Sequence, residues 1–152
     1  MDTETLALRA MNECLGYQAL RTARILSRYF NDAFKAVGLQ GTQFSLLVTI
    51  RLNPGTSVAS LAELLATDAS TLVRNIAVLR ARGLVHEDAT RGRAGKRLRT
   101  TPDGDRVLDQ ALPIWNTAFE RLKESLGDES AAKTLEALRT LERAADRPSP
   151  AD

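Results

Sequence analysis

A chain of 152 residues, 43% of them hydrophobic, has the size of one domain and enough apolar side chain for a core, which argues against a disordered segment and a multidomain enzyme. With 21 Lys and Arg against 19 Asp and Glu, the net charge of +2 says little about partners until its distribution is known. One cysteine, Cys14, excludes an internal disulfide, and one histidine, His86, leaves too few nitrogen and sulfur ligands for a structural zinc site. No run of about 18 apolar residues occurs, and residues 1–13 carry acids where a secretion signal carries bases, so the expected location is cytoplasmic, neither exported nor membrane-spanning. The sequence has no phosphate-cradling glycine loop and no serine in a nucleophile elbow, so neither a cofactor nor an enzymatic activity is expected.

In chain order, Leu6, Met11, Leu15, Ala19, Ile25, Leu26, Tyr29, Phe30, Phe34 and Val37 recur at three-and-four spacing and predict one long amphipathic helix ending near Gly38. A buried second helix follows over Gly41–Leu52, with Thr42 as its expected cap and Asn53-Pro54-Gly55 as its end. Ser57 is placed to cap a short helix running through Ala66, and Asp68 to cap another from Ala69 to Arg82, which Gly83 terminates. The apolar stripe of that last helix reads Leu72, Val73, Ile76 and Leu79, leaving Ser70, Thr71, Arg74, Asn75 and Val78 off the core face. Leu84–Glu87 and Arg97–Thr100 then alternate around the Gly-rich basic stretch Arg91–Lys96, the pattern of a two-stranded hairpin with a long tip. Thr101-Pro102-Asp103 opens a long helix with Val107, Leu108, Ala111, Leu112, Trp115, Phe119, Leu122 and Leu126 on one face and Pro113 inside it, where a kink near Asp109 is expected. Gly127 separates a final helix carrying Leu135, Leu138 and Leu141, and residues 147–152 read as a disordered tail.

The near-neutral total hides a polarised chain. Residues 70–99 hold eight basic side chains against two acidic ones, whereas residues 103–152 hold seven against eleven. Positive charge concentrated on a helix followed by a hairpin is the footprint of a polyanion partner, because each neutralised phosphate releases condensed counterions. Two short helices joined by a tight turn put the second helix into the major groove in helix-turn-helix proteins, and Ser70, Thr71, Arg74 and Asn75 occupy its leading end. Arg pairs bidentately with guanine edges and Asn with adenine, so these residue types suit direct readout of double-stranded DNA.

Gly41-Thr-Gln-Phe-Ser-Leu-Leu47, Val58–Leu65, Ser70-Thr-Leu-Val-Arg-Asn75, Leu79–Val85 and Leu98–Gly104, in this order and spacing, resemble the successive blocks of the MarR family of transcription regulators over about residues 10–145. The resemblance implies a mostly α fold with a small β-hairpin wing: a winged helix-turn-helix lobe at 41–101, with N- and C-terminal dimerisation helices at 1–40 and 102–146. It further implies a homodimer on a pseudo-palindromic operator, usually a repressor released by a small ligand, with Ala69–Arg82 as recognition helix and Arg91–Lys96 as wing. DNA contacts are then expected from Ser70, Thr71, Arg74, Asn75, Arg91, Arg93 and Lys96. Many members carry an Asp-x-Arg pattern at the wing tip; here Arg93 matches the Arg, while Thr90 or Gly92 stands where the acid would be.

The family's effectors, often aromatic acids, bind between the DNA-binding lobe and the dimer helices. Tyr17, Arg21, Phe44 and Trp115 are the candidates for such a cleft, with Arg21 as carboxylate partner. Cys14 stands near the position of a peroxide-sensing cysteine in one branch of the family, which keeps a thiol-based repressor as an alternative. From another class, the basic hairpin also fits a protein-interaction module that meets an acidic partner and binds no specific DNA.

Overall fold

The computed structural model describes residues 1–88 and 97–146. The helices are α1 (Thr3–Glu13), α2 (Leu15–Phe34), α3 (Gly41–Leu52), α4 (Val58–Leu64), α5 (Ala69–Ala81), α6 (Pro102–Leu126) and α7 (Asp128–Ala145), with a 3₁₀ turn at Lys35–Val37 and strands β1 (Val85–Asp88) and β2 (Arg97–Thr100). They form two compact units, Met1–Trp115 and the part from Asn116 onward; α6 starts in the first and ends in the second. Arg91, Arg93 and Lys96, expected in the wing, and residues 147–152, expected as a disordered tail, lie outside the described residues.

The expected first long helix is two helices, because Cys14 adopts an extended conformation between them (φ −68°, ψ 111°). Asp2 caps α1 by accepting from the Thr5 amide at 2.8 Å, and the Gln18 side-chain amide donates to the Met11 carbonyl, one of those left over at the α1 end. A break of one residue barely disturbs the three-and-four spacing, so periodicity does not reveal it. At α3 the capping position belongs to Gln40 rather than Thr42: the Gln40 amide donates to Gln43 Oε1 at 3.1 Å, and Asn31 Oδ1 accepts from the Gly41 amide at 2.7 Å. Ser57 and Asp68 cap α4 and α5 as the sequence predicts.

The core of the first unit gathers Phe34, Leu46, Leu47, Ile50, Leu61, Leu72, Leu79, Leu98 and Leu108, so every element from the end of α2 to the start of α6 contributes to it. Phe30, Phe34, Phe44 and Trp115 stack in succession with ring centroids 6.5, 4.6 and 6.4 Å apart, the offset arrangement aromatic rings prefer. Val73, read from the sequence as part of the α5 core stripe, is instead 52% exposed. The α1 and α2 apolar face is also mostly outside: Leu6, Met11, Leu15, Ile25 and Tyr29 are exposed, and α1 buries nothing.

The hairpin is antiparallel with His86 opposite Arg99 and Glu87 opposite Leu98, and Gly55 and Thr56 extend it by backbone bonds to Leu98 on its other edge. Thr101 then ties the hairpin to α6. Its hydroxyl donates to the Gly83 carbonyl at 2.6 Å and accepts from the Gly104 amide, while its own amide donates to the Leu84 carbonyl. Gly104 is required at this joint, since a Cβ there would collide with the Leu84 carbonyl oxygen. α6 continues unbroken through Pro113.

In the second unit Gly127, at φ 79°, turns the chain into α7, and Lys123 Nζ meets Asp128 Oδ1 at 3.1 Å across that turn. The Asp128 carboxylate, with Glu120 adding to it, raises the Lys123 pKa. α7 has no buried residue, and Leu135 and Leu138 are exposed. Among the described residues no helix is long and apolar enough to cross a membrane.

Candidate nucleic-acid interface

The α4-turn-α5 unit positions the candidate recognition surface. Between the helices Ala66 takes a left-handed conformation (φ 45°) while the Thr67 amide closes back on the Ala62 carbonyl, which makes the turn tight. Asp68 then starts α5: its Oδ1 accepts from the Thr71 amide at 2.8 Å and from the Ser70 hydroxyl at 2.6 Å. Those bonds, the Ser70 hydroxyl first, hold the Asp68 carboxyl well below the usual carboxylate range, so the cap is ionised under all ordinary conditions.

Leu72, Ile76 and Leu79 anchor α5 in the core. Opposite them the helix exposes Ser70, Val73, Arg74, Ala77 and Val78. The four residues expected to read bases therefore separate. Arg74 is exposed, with its Nε 3.4 Å from the Ser70 carbonyl, and Ser70 is exposed but has its hydroxyl committed to Asp68. Thr71 and Asn75 are half-buried; the Asn75 amide donates to the Thr71 carbonyl at 3.2 Å, and both side chains line a cleft on the inner side of the helix. Val73 and Ala77 belong to the outer face and were not anticipated. The signal was available: with Leu72, Ile76 and Leu79 clustered on one side of the helical wheel, Val73 stands about 100° away.

The remaining described arginines of the basic segment act as struts. Arg80 Nη1 pairs with Glu87 Oε1 at 3.2 Å, joining α5 to the hairpin, and Arg99 Nε pairs with Asp88 Oδ2 at 2.8 Å. The other Asp88 oxygen lies 3.2 Å from His86 Nε2. Arg82 donates to the Gly38 carbonyl and Arg97 to the Gly55 carbonyl. The charge excess of this segment thus divides between scaffold and surface, and Arg74 falls on the surface.

The inner cleft has a volume of about 520 Å³ and lies between α2, α3, the start of α5 and α6, with Phe30, Phe34, Phe44 and Trp115 supplying its aromatic wall. Its polar lining is neutral, comprising Ser27, Asn31, Gln40, Thr42, Ser45, Thr67, Thr71 and Asn75. Of the four expected effector residues, Phe44 and Trp115 line it. Tyr17 and Arg21 instead line a separate groove of about 320 Å³ on α2, together with Arg24 and Arg28. Cys14 is exposed at the α1–α2 break, beside Arg9 and Glu13, which pair with each other at 2.7 Å.

A MarR family sequence model matches residues 37–94, from the end of the 3₁₀ turn to the wing. MosR, a transcriptional regulator of M. tuberculosis, is 32% identical, with 90% of this chain and 98% of MosR aligned and a TM-score of 0.80. The chain belongs to the MarR family. It is a winged-helix, DNA-binding transcription regulator and not an enzyme. Two further structures of relatives show what MarR-type chains hold. The repressor CouR, 27% identical with 88% of this chain and 95% of its own aligned, has been solved on a 23-mer DNA duplex (TM-score 0.79) and with p-coumaroyl-CoA (TM-score 0.80). MarR of E. coli on operator DNA shares the fold at 19% identity. Among curated protein sequences, none matches this chain.

Proposed function

We propose that this MarR-family chain is a homodimeric repressor that grips a pseudo-palindromic operator with α5 and the wing and is released by a small ligand seated in the cleft behind α5. Residues 41–101 would form the DNA-binding lobe, and residues 1–40 and 102–146 the dimerisation region. The observation that carries the reading is the shared wall. Thr71, Leu72 and Asn75, on the inner side of the recognition helix, line the same cleft as Phe44 and Trp115. A ligand there touches the proposed recognition helix, so one that fits the DNA-free arrangement of α5 better than the DNA-bound one would release the operator. The leucines left exposed on α1 and α7 give a second copy an apolar surface to cover.

The cleft's neutral lining favours an uncharged aromatic or acyl group at its buried end, since an unpaired carboxylate there would forfeit its hydration. A charged end finds its partners outside. Arg21, Arg24 and Arg28 follow one another along α2 at helical spacing, and Ser27 and Asn31 of the cleft continue the same face. The p-coumaroyl-CoA held by CouR has this division into a neutral aryl end and a phosphorylated tail.

The test is anisotropy of the purified protein on DNA upstream of its own coding region against scrambled DNA, with p-coumaroyl-CoA, p-coumarate and coenzyme A added in turn. Tight, salt-sensitive binding to the first DNA alone, relieved by p-coumaroyl-CoA and accompanied by a change in emission of the single Trp115, is the expected result. Equal binding to both DNAs at every salt concentration would remove the operator reading. The exposure of Cys14 favours one second reading, in which a hydroperoxide oxidises the thiolate to sulfenic acid, is itself reduced to the alcohol, and so releases the DNA. Release by cumene hydroperoxide that disappears in Cys14→Ser identifies that route.

A further inference from the structure

We propose that Val73 is a specificity-determining residue that reads thymine methyl groups in the operator's major groove, next to a guanine held by Arg74. This deepens the operator reading above and rests on it.

The argument starts from what is left on the outer face of α5 once the polar groups are accounted for. The Ser70 hydroxyl is occupied by Asp68 at 2.6 Å. The Asn75 amide is turned onto the Thr71 carbonyl at 3.2 Å, and both residues sit half-buried on the cleft side. Among these four residues Arg74 brings uncommitted N–H donors to the outer face, and its planar fork matches the O6 and N7 acceptors of guanine.

Apart from Ser70, the residues beside it on this face are hydrocarbon. Val73 is 52% exposed and Val78 45% exposed, and Ala77 stands one turn beyond Val73 on the same side. Val73 is not needed by the core, which Leu72, Ile76 and Leu79 already fill from this helix. Nor does it serve the helix, since a β-branched residue is a poorer helix former than a straight-chain one. An apolar side chain on the face turned toward the groove floor has one sequence-dependent partner there, the C5 methyl of thymine; the other major-groove edges offer donors and acceptors that Val73 would desolvate without pairing. Ala77, with a single methyl, lets the helix approach closely enough for that contact.

The test uses the full-length protein. Duplexes that it binds are enriched from a random library, and each thymine of the enriched sequence is replaced singly by deoxyuridine, which removes one methyl and leaves every hydrogen-bonding group in place. Binding is read by anisotropy for the wild type, Val73→Ala and Arg74→Ala. The expected result is a half-site containing guanine beside one or two thymines, at which deoxyuridine weakens the wild type about fourfold, the loss for unburying one methyl group. Val73→Ala should bind the thymine and deoxyuridine duplexes alike, whereas Arg74→Ala should keep the methyl dependence while losing the guanine preference. Tolerance of deoxyuridine at every position, or an equal loss in Val73→Ala, would overturn the assignment while leaving operator binding intact. Failure to enrich any sequence would remove the operator reading itself and this assignment with it. Because Val73 is exposed, Val73→Ala should fold normally, which circular dichroism checks.

Discussion

Single residues set the geometry of the DNA-binding lobe, and three of them make separable predictions. Gly104 has no room for a side chain against the Leu84 carbonyl, so Gly104→Ala should force α6 away from the hairpin and give protein that is insoluble or melts far below the wild type in calorimetry. Thr101→Ala keeps the backbone but removes the bonds to Gly83 and Gly104; a loss of about 1 kcal/mol, read as a fall of roughly 3 °C in melting temperature, is expected. Asp68 carries a pH signature. Its carboxyl is bound in the fold by Ser70 and Thr71 and has a lower pKa there than in the unfolded chain, so its stabilisation is complete above the unfolded value of about 4 and is lost as pH falls below it. Thermal melts between about pH 6 and pH 3 should therefore show a decline in the wild type that is shallower in Asp68→Asn. Both caps were legible in the sequence, because a capping oxygen acts locally. The cap at Gln40 was not, since Gln is outside the residue types preferred at that position and Thr42, two residues on, is within them.

Among the elements, α5 turns one side outward, where DNA readout is proposed, and meets the cleft with the other, and this division explains both what the sequence revealed and what it concealed. Around it the bounds of α5, the turn before it and the hairpin after it followed from glycines, caps and alternation. The choice between Val73 and Asn75 for the outer face did not, because residue type favoured the polar side chain while the angle around the helix favoured the apolar one. Arg74→Ala should weaken operator binding by about 1–3 kcal/mol and flatten the preference at one base pair, as measured by anisotropy over single-base variants. The hairpin predicts a different outcome. Arg80 and Arg99 are tied to Glu87 and Asp88, so Glu87→Gln should loosen the wing's attachment to α5 and weaken binding to all sequences alike, without changing which one is preferred.

At the scale of the whole molecule the order of the elements was legible in the sequence and the fate of their apolar faces was not. Leu6, Met11, Leu135 and Leu138 were read correctly as periodic, but periodicity cannot say whether a stripe is covered by its own chain or by another. In the single chain they are exposed. Sedimentation should give twice the 16.6 kDa mass, and Leu135→Lys combined with Leu138→Lys should shift the protein toward the single-chain mass and reduce its affinity for a two-half-site duplex more than for one half-site. Of the four residues expected at an effector cleft, Phe44 and Trp115 line one cavity and Tyr17 and Arg21 another, because residue type and helical spacing do not say which neighbour a helix face meets.

The joint at Thr101 has a mechanical consequence. Because one side chain clasps the carbonyl just past the end of α5 and also the first turn of α6, those two helix ends cannot translate independently. A one-residue insertion between Thr101 and Gly104 should unpin this joint, leaving each helix intact while freeing the start of α6 from the carbonyl just past α5.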